Sequence, residues 1–266
     1  MYDFDCTLSP KDMQEYGFIP GLGMSADEFW GECNKTAVEY NMDRILAYML
    51  VMLEKSRGKF LLNRETITKL GKEVKLFPGV STWFKRINEY ADSKGMQCEH
   101  YIISSGLKEI IEGTSIADEF KEIFAACFCY DKDGIPFWPA MAVNYTSKTQ
   151  FMYRINKGVL DVTNDKDLNR HASEEERRVP FRNMIYIGDG LTDVPCMKLA
   201  KANGGHSIAV YQKDKKAAEE MLKYDRVDFI AKTDYSKGSE MEQVIFDLID
   251  QMAATDKIVK RRMGLL

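Results

Sequence analysis

No two of the six cysteines in this 266-residue chain stand as a CxxC pair. Scattered thiols in a long chain read as free thiols of a reducing compartment rather than as a disulfide framework. Cys127 and Cys129 share one face of an apolar run and read as small packing residues. An excess of basic residues is also missing. Lys and Arg number 37 against 41 Asp and Glu, for a net charge of -4, so no nucleic-acid partner is expected. No apolar run approaches the ~20 residues that cross a bilayer. The first ten residues include Asp3 and Asp5 and have no apolar stretch of the kind that forms a secretory signal. We find no internal repeat. These absences predict a cytoplasmic protein without a membrane partner, and they do not fix an oligomeric state.

What is present begins with a 45% hydrophobic composition, enough for a sizeable core. From about residue 9 to residue 76 the pattern is helical. Ile45, Leu46, Met49, Leu50 and Leu53 fall at helical spacing ahead of Gly58, and Asn63 caps a short helix. The pattern then changes to strands alternating with helices. Val80, Trp83, Phe84, Ile87, Tyr90 and Ala91 form a helical stripe, and a strand is expected from Cys98 to Ser104. A hairpin turning at Asp133-Gly134 follows, with Pro136 and Pro139 making its return strand irregular. SKTQFMYRINKG predicts a helix with a capping box between Ser147 and Gln150. Ser239 and Glu242 predict another. Residues 159–182 are charged and irregular and read as a mobile surface insertion. Strands alternating with helices imply an α/β fold whose mainly parallel sheet is covered on both faces. Residues 9–76 interrupt that pattern as a candidate helical cap, leaving 1–8 and 77–266 as the core.

Four segments place polar residues where an apolar strand ends or a helix begins. Asp3, Asp5 and Thr7 lie in DFDCTL. Ser104, Ser105 and Gly106 follow HYII. Lys148 opens a helix, and Asp189 and Asp193 lie in GDGLTD. Each alone has a plain reading, since Asp and Ser favour helix N-caps and GDG is a common turn. Together they bring carboxylates from two strand ends to one edge of the sheet, where ligands of such folds bind. An oxygen-only ligand set with open positions suits Mg²⁺. A lysine and a hydroxyl beside a helix N-terminus suit a phosphate. A calcium loop is the competing reading of DFDCTL. It fails because Leu8 stands where that loop needs glycine and Gln14 where it needs a bidentate glutamate.

DFDCTL, IISSG, SKTQ and GDGLTD, in that order, resemble the four motifs of the haloacid dehalogenase-like (HAD) superfamily over about residues 2–235. The long insertion after the first motif looks like the helical cap of the phosphoserine-phosphatase-like branch. The resemblance implies a Rossmann-like three-layer core with a small α-helical cap, Mg²⁺ dependence and an aspartyl-phosphate intermediate. By motif match, Asp3 is implied as nucleophile and metal ligand. Asp5 is implied as general acid/base, with its backbone carbonyl on the metal, and Thr7 as support for the phosphate-binding loop. Ser104, with Gly106 beside it, would contact the transferring phosphoryl group. Lys148 would neutralise that group and hold Asp3, and Asp189 and Asp193 would bind Mg²⁺. The resemblance implies that dehalogenases lack the second Asp, so Asp5 favours a phosphatase.

Two departures from the family pattern stand out. Only Met1 and Tyr2 precede Asp3, where the family has four or five apolar residues. The start reads as clipped or misassigned, with a short central strand holding Asp3 loosely. Lys148 also stands unusually far ahead of Asp189. The charged insertion accounts for the distance, and Lys157 is the fallback. The function expected is a Mg²⁺-dependent phosphatase acting on a small phosphorylated metabolite. A phosphotransferase using the same residues, and a catalytically impaired binding protein, are the alternatives. Phe29, Trp30, Tyr40, Tyr48 and Met49 in the cap read as core first and as pocket lining second.

Overall fold

The computed structural model describes residues 1–171, 173 and 176–265. Residues 172, 174 and 175, which belong to the charged insertion, lie outside that description, as does residue 266.

Tyr2 joins the two halves of the sheet. It bridges in parallel to Ile102 on one side and to Ile187 on the other. The Tyr2 amide donates to the Tyr101 carbonyl and the Ile103 amide to the Tyr2 carbonyl. The Ile187 amide donates to the Met1 carbonyl and the Asp3 amide to the Ile187 carbonyl, each at 2.9 Å. Around this segment lie β1 (Tyr101–Leu107), β2 (Glu122–Tyr130), β3 (Pro136–Met141), β4 (Ile185–Gly188), β5 (His206–Tyr211) and β6 (Phe229–Lys232). The order across the sheet is β3, β2, β1, the Tyr2 segment, β4, β5, β6, and β3 alone runs antiparallel. The strand order reverses at the Tyr2 segment, which is where a doubly wound sheet opens a crevice at its carboxyl edge. The expected loose seat for Asp3 is corrected here. Two residues suffice because both neighbouring strands pair with them.

Successive strand residues point to opposite faces, and the sheet has a core on each. Tyr2, Ile102, Ile187 and Ile208 pack with Trp83, Phe84 and Ile245 on one face. Tyr101, Ile103, Tyr186 and Ala209 pack with Phe151, Met152 and Met197 on the other. The helices are α1 (Phe18–Gly21), α2 (Ala26–Glu39), α3 (Arg44–Ser56), α4 (Arg64–Leu70), α5 (Val80–Ser93), α6 (Lys108–Glu112), α7 (Lys148–Lys157), α8 (Asp165–Asn169), α9 (Val194–Ala202), α10 (Lys216–Lys223) and α11 (Glu240–Arg262). Among the described residues, no helix is long and apolar enough to cross a membrane.

Helices α1 to α4 come before the sheet proper. A full capping box between Ser25 and Glu28 starts α2, the Asp43 carboxylate caps α3, and Asn63 with Thr66 caps α4. The end of this segment lies against α6 with backbone touching backbone. A Cβ at Gly113 would stand 1.7 Å from the Thr68 carbonyl oxygen, and one at Gly71 would stand 2.2 Å from that of Ile110.

Several local expectations differ from the structure. Ser147 forms no capping box with Gln150. Its hydroxyl accepts from the Asn144 amide at 2.8 Å and donates to the Asn144 carbonyl at 3.1 Å. Ser239 does cap the Glu242 amide, but the Glu242 carboxylate turns to Arg86 and the Gly238 amide. The strand expected from Cys98 starts at Tyr101. The insertion contains α8 and is tied to α7. Arg154 donates to the carbonyls of Asp161 and Val162, and Lys157 to those of Leu168 and Arg170. Those bonds occupy the ammonium of Lys157, so it does not substitute for Lys148.

Candidate active site

The carboxyl edge of the sheet is formed by a tight turn after the Tyr2 segment. Cys6 has a positive φ of 56°, unusual for a residue other than glycine. It turns the chain so that the amides of Thr7, Leu8 and Ser9 all point at the Phe4 carbonyl. The turn leaves Asp3 and Asp5 at the sheet edge. One Asp3 oxygen accepts from the Phe4 amide at 2.8 Å, and an Asp5 oxygen accepts from the Met13 amide at 2.8 Å. The hydroxyl of Tyr235 donates to the Thr7 carbonyl from below. The pairing of β1 with β2 shifts register between Ser104 and Leu107, and such irregularities re-aim side chains near sites. The Ser104 hydroxyl accepts from the Gly106 amide at 3.0 Å.

Lys148, the first residue of α7, reaches in from the opposite side and is fully buried. Its Nζ lies 2.9 Å from Asp3 and 2.8 Å from Asp193. The Asp193 oxygen that accepts from Lys148 also accepts from the Tyr186 hydroxyl at 2.8 Å, and its second oxygen accepts from the Gly190 amide. Thr7 donates to Asp189 at 3.4 Å, so it orients that carboxylate. One oxygen from each of Asp3, Asp189 and Asp193 lies within 4.8 Å of the other two. Asp3, Asp5, Thr7, Ser104, Gly106, Lys148, Asp189 and Asp193 are therefore brought to one place. Tyr186 escaped the sequence reading because a tyrosine inside MIYIG looks like strand core.

The carboxylates carry more negative charge than one lysine offsets. Burial, and then the charge of Asp193, raise Asp3 to about 6 despite Lys148. Burial, followed by Asp3 and Asp193, raises Asp189 to about 8. Asp5 is pushed well up by burial and by Asp12 and Asp3. Burial opposes the charge on Lys148, yet the Asp193 and Asp3 carboxylates hold its pKa above the ordinary lysine value.

A cavity of about 380 Å³ opens beside this cluster, bounded by Asp3, Asp5, Ser104 and Asp189 on the sheet side. The helical segment supplies Gln14, Trp30, Asn34, Arg44 and Tyr48 to its far wall. Of the aromatic and apolar residues expected from the sequence, Trp30 and Tyr48 line the cavity. Phe29 and Met49 are buried in the core and Tyr40 is exposed. Gln14, Asn34 and Arg44 carried no sequence signal, because polar residues scattered over a helical segment look solvated.

No known family model matches the chain. An uncharacterised protein of Borreliella burgdorferi is 26% identical over 278 residues, which cover 94% of this chain and 95% of that protein. A HAD-family hydrolase of Salmonella enterica subsp. enterica serovar Typhi superimposes with a TM-score of 0.51 at 19% identity, over 82% of this chain and 63% of that one. A phosphoserine phosphatase in its apo form gives a TM-score of 0.53 at 16% identity, over 86% of this chain and 90% of its own. The chain has the haloacid dehalogenase-like fold, in the form that phosphoserine phosphatases share.

Proposed function

We propose that the protein is a Mg²⁺-dependent phosphomonoesterase acting on a small phosphorylated metabolite. The observation that carries this reading is the fully buried Lys148 ammonium, held between Asp3 and Asp193 where strand ends meet. A purely structural ion pair would leave the site neutral. Here burial, and after it the neighbouring carboxylates, raise Asp3, Asp5 and Asp189, and the cluster holds more carboxylates than its one lysine pairs with. Perturbed carboxyls beside a cavity favour a functional site over a structural one.

The donor set fits a hard cation. It is all oxygen, it comes from Asp3, Asp189 and Asp193, and its surplus charge needs a counter-ion. By family resemblance the Asp5 carbonyl would join it. Mg²⁺ bound there would offset the charge of the transferring phosphoryl group.

In the first step an Asp3 oxygen bonds to phosphorus while the bond to the substrate alcohol breaks. Asp5 gives its proton to the departing oxygen, a role its raised pKa supports. In the second step water attacks phosphorus and Asp5 takes its proton. The Asp3 carboxylate and inorganic phosphate are released. Lys148 holds Asp3 in line, Ser104 and Gly106 border the phosphoryl position, and Thr7 steadies Asp189.

We read residues 9–76 as a cap over a core of 1–8 and 77–266. A cavity of about 380 Å³ lies at the small end for ligand pockets and suits a metabolite better than a protein surface. Six free cysteines favour the cytoplasm.

The test is hydrolysis of 4-nitrophenyl phosphate with Mg²⁺, with EDTA and by Asp3→Asn. Activity that requires the metal and disappears in Asp3→Asn is the expected result. Activity surviving in Asp3→Asn would overturn the mechanism.

A further inference from the structure

Helices α2 and α3 form a hairpin whose tip, residues 40–43, meets the core at Asn144. Glu32 pairs with Lys55 at 3.1 Å, and the rings of Trp30 and Tyr48 meet edge to face at 6.1 Å, so the two helices are tied into one body. This body places Trp30, Asn34, Arg44 and Tyr48 on the cavity wall that faces the carboxylates. Asp3 is 7% exposed and Ser104 1%, so a phosphate that is to touch both needs something above them to yield.

The base of the hairpin has the backbone freedom for that. Gly23 stands just ahead of α2 and Gly58 just beyond α3. Both hold a left-handed φ, 71° and 75°, and a Cβ at either would meet nothing within 4 Å. Positions of this kind, at the ends of elements, absorb the dihedral change of a hinge. Lys59 Nζ donates to the Leu22 carbonyl at 2.6 Å, so the two connections run side by side. Beyond them α4 is held, because its end touches α6 backbone to backbone at Gly113.

At the tip, Asp43 accepts from two directions. One oxygen accepts from the Ile45 amide at 2.8 Å and caps α3, and the other accepts from Asn144 Nδ2 at 2.9 Å. Asn144 in turn builds the turn that leads into α7. Its side-chain oxygen accepts from the Ser147 amide at 3.1 Å, and its carbonyl accepts from the Lys148 amide at 3.0 Å. The tip of the hairpin is thus bonded to the turn that seats Lys148. Nearer the middle of α3, the Tyr48 hydroxyl donates to the Ser105 carbonyl at 2.8 Å.

We propose that the α2–α3 hairpin is a lid over this site, that it swings at Gly23 and Gly58, and that the bond between Asp43 and Asn144 is the latch that shuts it. The inference rests on the reading that the cavity admits a phosphorylated substrate. Asn144 is then a positioning residue, because the lid shuts onto the same turn that holds Lys148.

The latch can be broken and remade with little change of shape. In Asp43→Asn the new amide keeps the helix cap only by turning its N–H groups toward those of Asn144. In Asn144→Asp two carboxylates face each other. Asp and Asn serve equally as helix caps and in such turns, so each variant keeps its local structure. In the double variant the amide and the carboxylate have exchanged sides and the bond is restored.

The measurement is the rate at which N-ethylmaleimide modifies Cys33, followed by mass spectrometry. Cys33 lies on α2, borders the cavity and is 5% exposed. Cys196, fully buried in the core on the other face of the sheet, reports global unfolding. A hydrogen bond to a carboxylate shifts an equilibrium by about 10–100-fold. The ratio of the Cys33 rate to the Cys196 rate should rise by about that factor in each single variant and return to the wild-type value in the double variant. An unchanged ratio in the single variants, or a rise that the double variant does not reverse, would overturn the proposal.

The labelling uses no substrate, so it stands apart from the phosphatase assay. Rates that follow the latch, in a protein that hydrolyses no 4-nitrophenyl phosphate, would sustain the lid and sink the phosphatase. Hydrolysis by a protein whose labelling ratio never changes would do the reverse. Neither hydrolysis nor a changed ratio would overturn both.

Discussion

The ammonium of Lys148 lies 2.8 Å from the carboxylate of Asp193, and neither side chain has any exposed surface. A pair this deep is costly to break from one side, because the remaining ion stays buried and unpaired. Lys148→Met should therefore destabilise the fold by about 3–5 kcal/mol and remove activity. The check is urea denaturation beside the aryl phosphate assay. A stable variant that kept its activity would show that Asp193 needs no cation and that Lys148 is no part of the site.

Tyr186 gives Asp193 its second charge-assisted bond, at 2.8 Å, from within β4. Hydrogen bonds to charged groups contribute about 1.5–3 kcal/mol, so Tyr186→Phe should cost that order of stability. Lys148 still holds Asp193 in the variant, so the loss should be smaller than for Lys148→Met. Equal losses in the two variants would mean that the hydroxyl, and not the ammonium, fixes Asp193.

Asp189 should behave oppositely with and without metal. Burial and the charges of Asp3 and Asp193 raise its pKa to about 8. A carboxyl whose folded pKa is raised binds protons more readily in the folded state. Its contribution to stability is therefore lost as pH rises through that value. Replacing it with Asn removes the repulsion, so metal-free Asp189→Asn should melt higher than metal-free wild type near pH 8. Added Mg²⁺ should raise the wild-type melting temperature by mass action and leave Asp189→Asn nearly unmoved. Thermal melts with Mg²⁺ and with EDTA decide it, and a Mg²⁺ shift that survives in Asp189→Asn would remove this residue from the metal site.

The parts of the site that could be read from the sequence were those that announce themselves at a strand end. Ser104 and Asp189 each follow an apolar run and Asp3 stands in the paired carboxylates of DFD, and a sheet edge gathers such positions whatever the loops do. Lys148 was readable because it opens a helix after a strand. Tyr186 was not, since its ring packs as core while only its hydroxyl serves Asp193. Gln14, Asn34 and Arg44 were equally hidden, because their meeting depends on how the segment 9–76 folds over the sheet, and helical spacing carries no direction relative to a distant strand. The Ser147 cap misled for a related reason. A serine ahead of a helix has a second acceptor and donor within reach at Asn144, and that local turn took precedence.

The contact that seats the helical segment allows no side chain at Gly113. A Cβ there would lie 1.7 Å from the Thr68 carbonyl oxygen, a backbone atom that cannot swing aside. Gly113→Ala should push α4 away from α6 and cost about 1–3 kcal/mol, the usual range for overpacking. Gly95→Ala is the control, since a Cβ there meets nothing within 4 Å, although its φ of 72° adds local strain. A smaller loss at Gly113 than at Gly95 would show that the two helices are free to separate.

His100 sits in a relay that admits only the neutral ring. The Trp83 indole donates to the Tyr2 hydroxyl at 3.0 Å, and that hydroxyl lies 3.2 Å from His100 Nδ1. His100 Nε2 lies 2.9 Å from the Asn88 carbonyl oxygen. With Nε2 protonated, Nδ1 accepts from Tyr2 and every partner is satisfied; a second proton on Nδ1 would face the tyrosine's own. Burial accordingly lowers the His100 pKa from 6.5 to about 3. A depressed folded pKa means that the unfolded chain binds the extra proton between those two values. The stability His100 contributes is thus complete above pH 6.5 and is lost as pH falls toward 3. His100→Asn removes this term. The stability difference between wild type and His100→Asn should therefore shrink below pH 6.5. The limiting rate is about 1.4 kcal/mol per pH unit. Urea denaturation of both proteins, from about pH 7.5 down to about pH 4.5, measures it while the carboxylate contributions cancel in the difference. A difference that stays constant across that range would mean that the buried ring accepts its proton without cost, and that the relay from Trp83 to Asn88 does not hold it neutral.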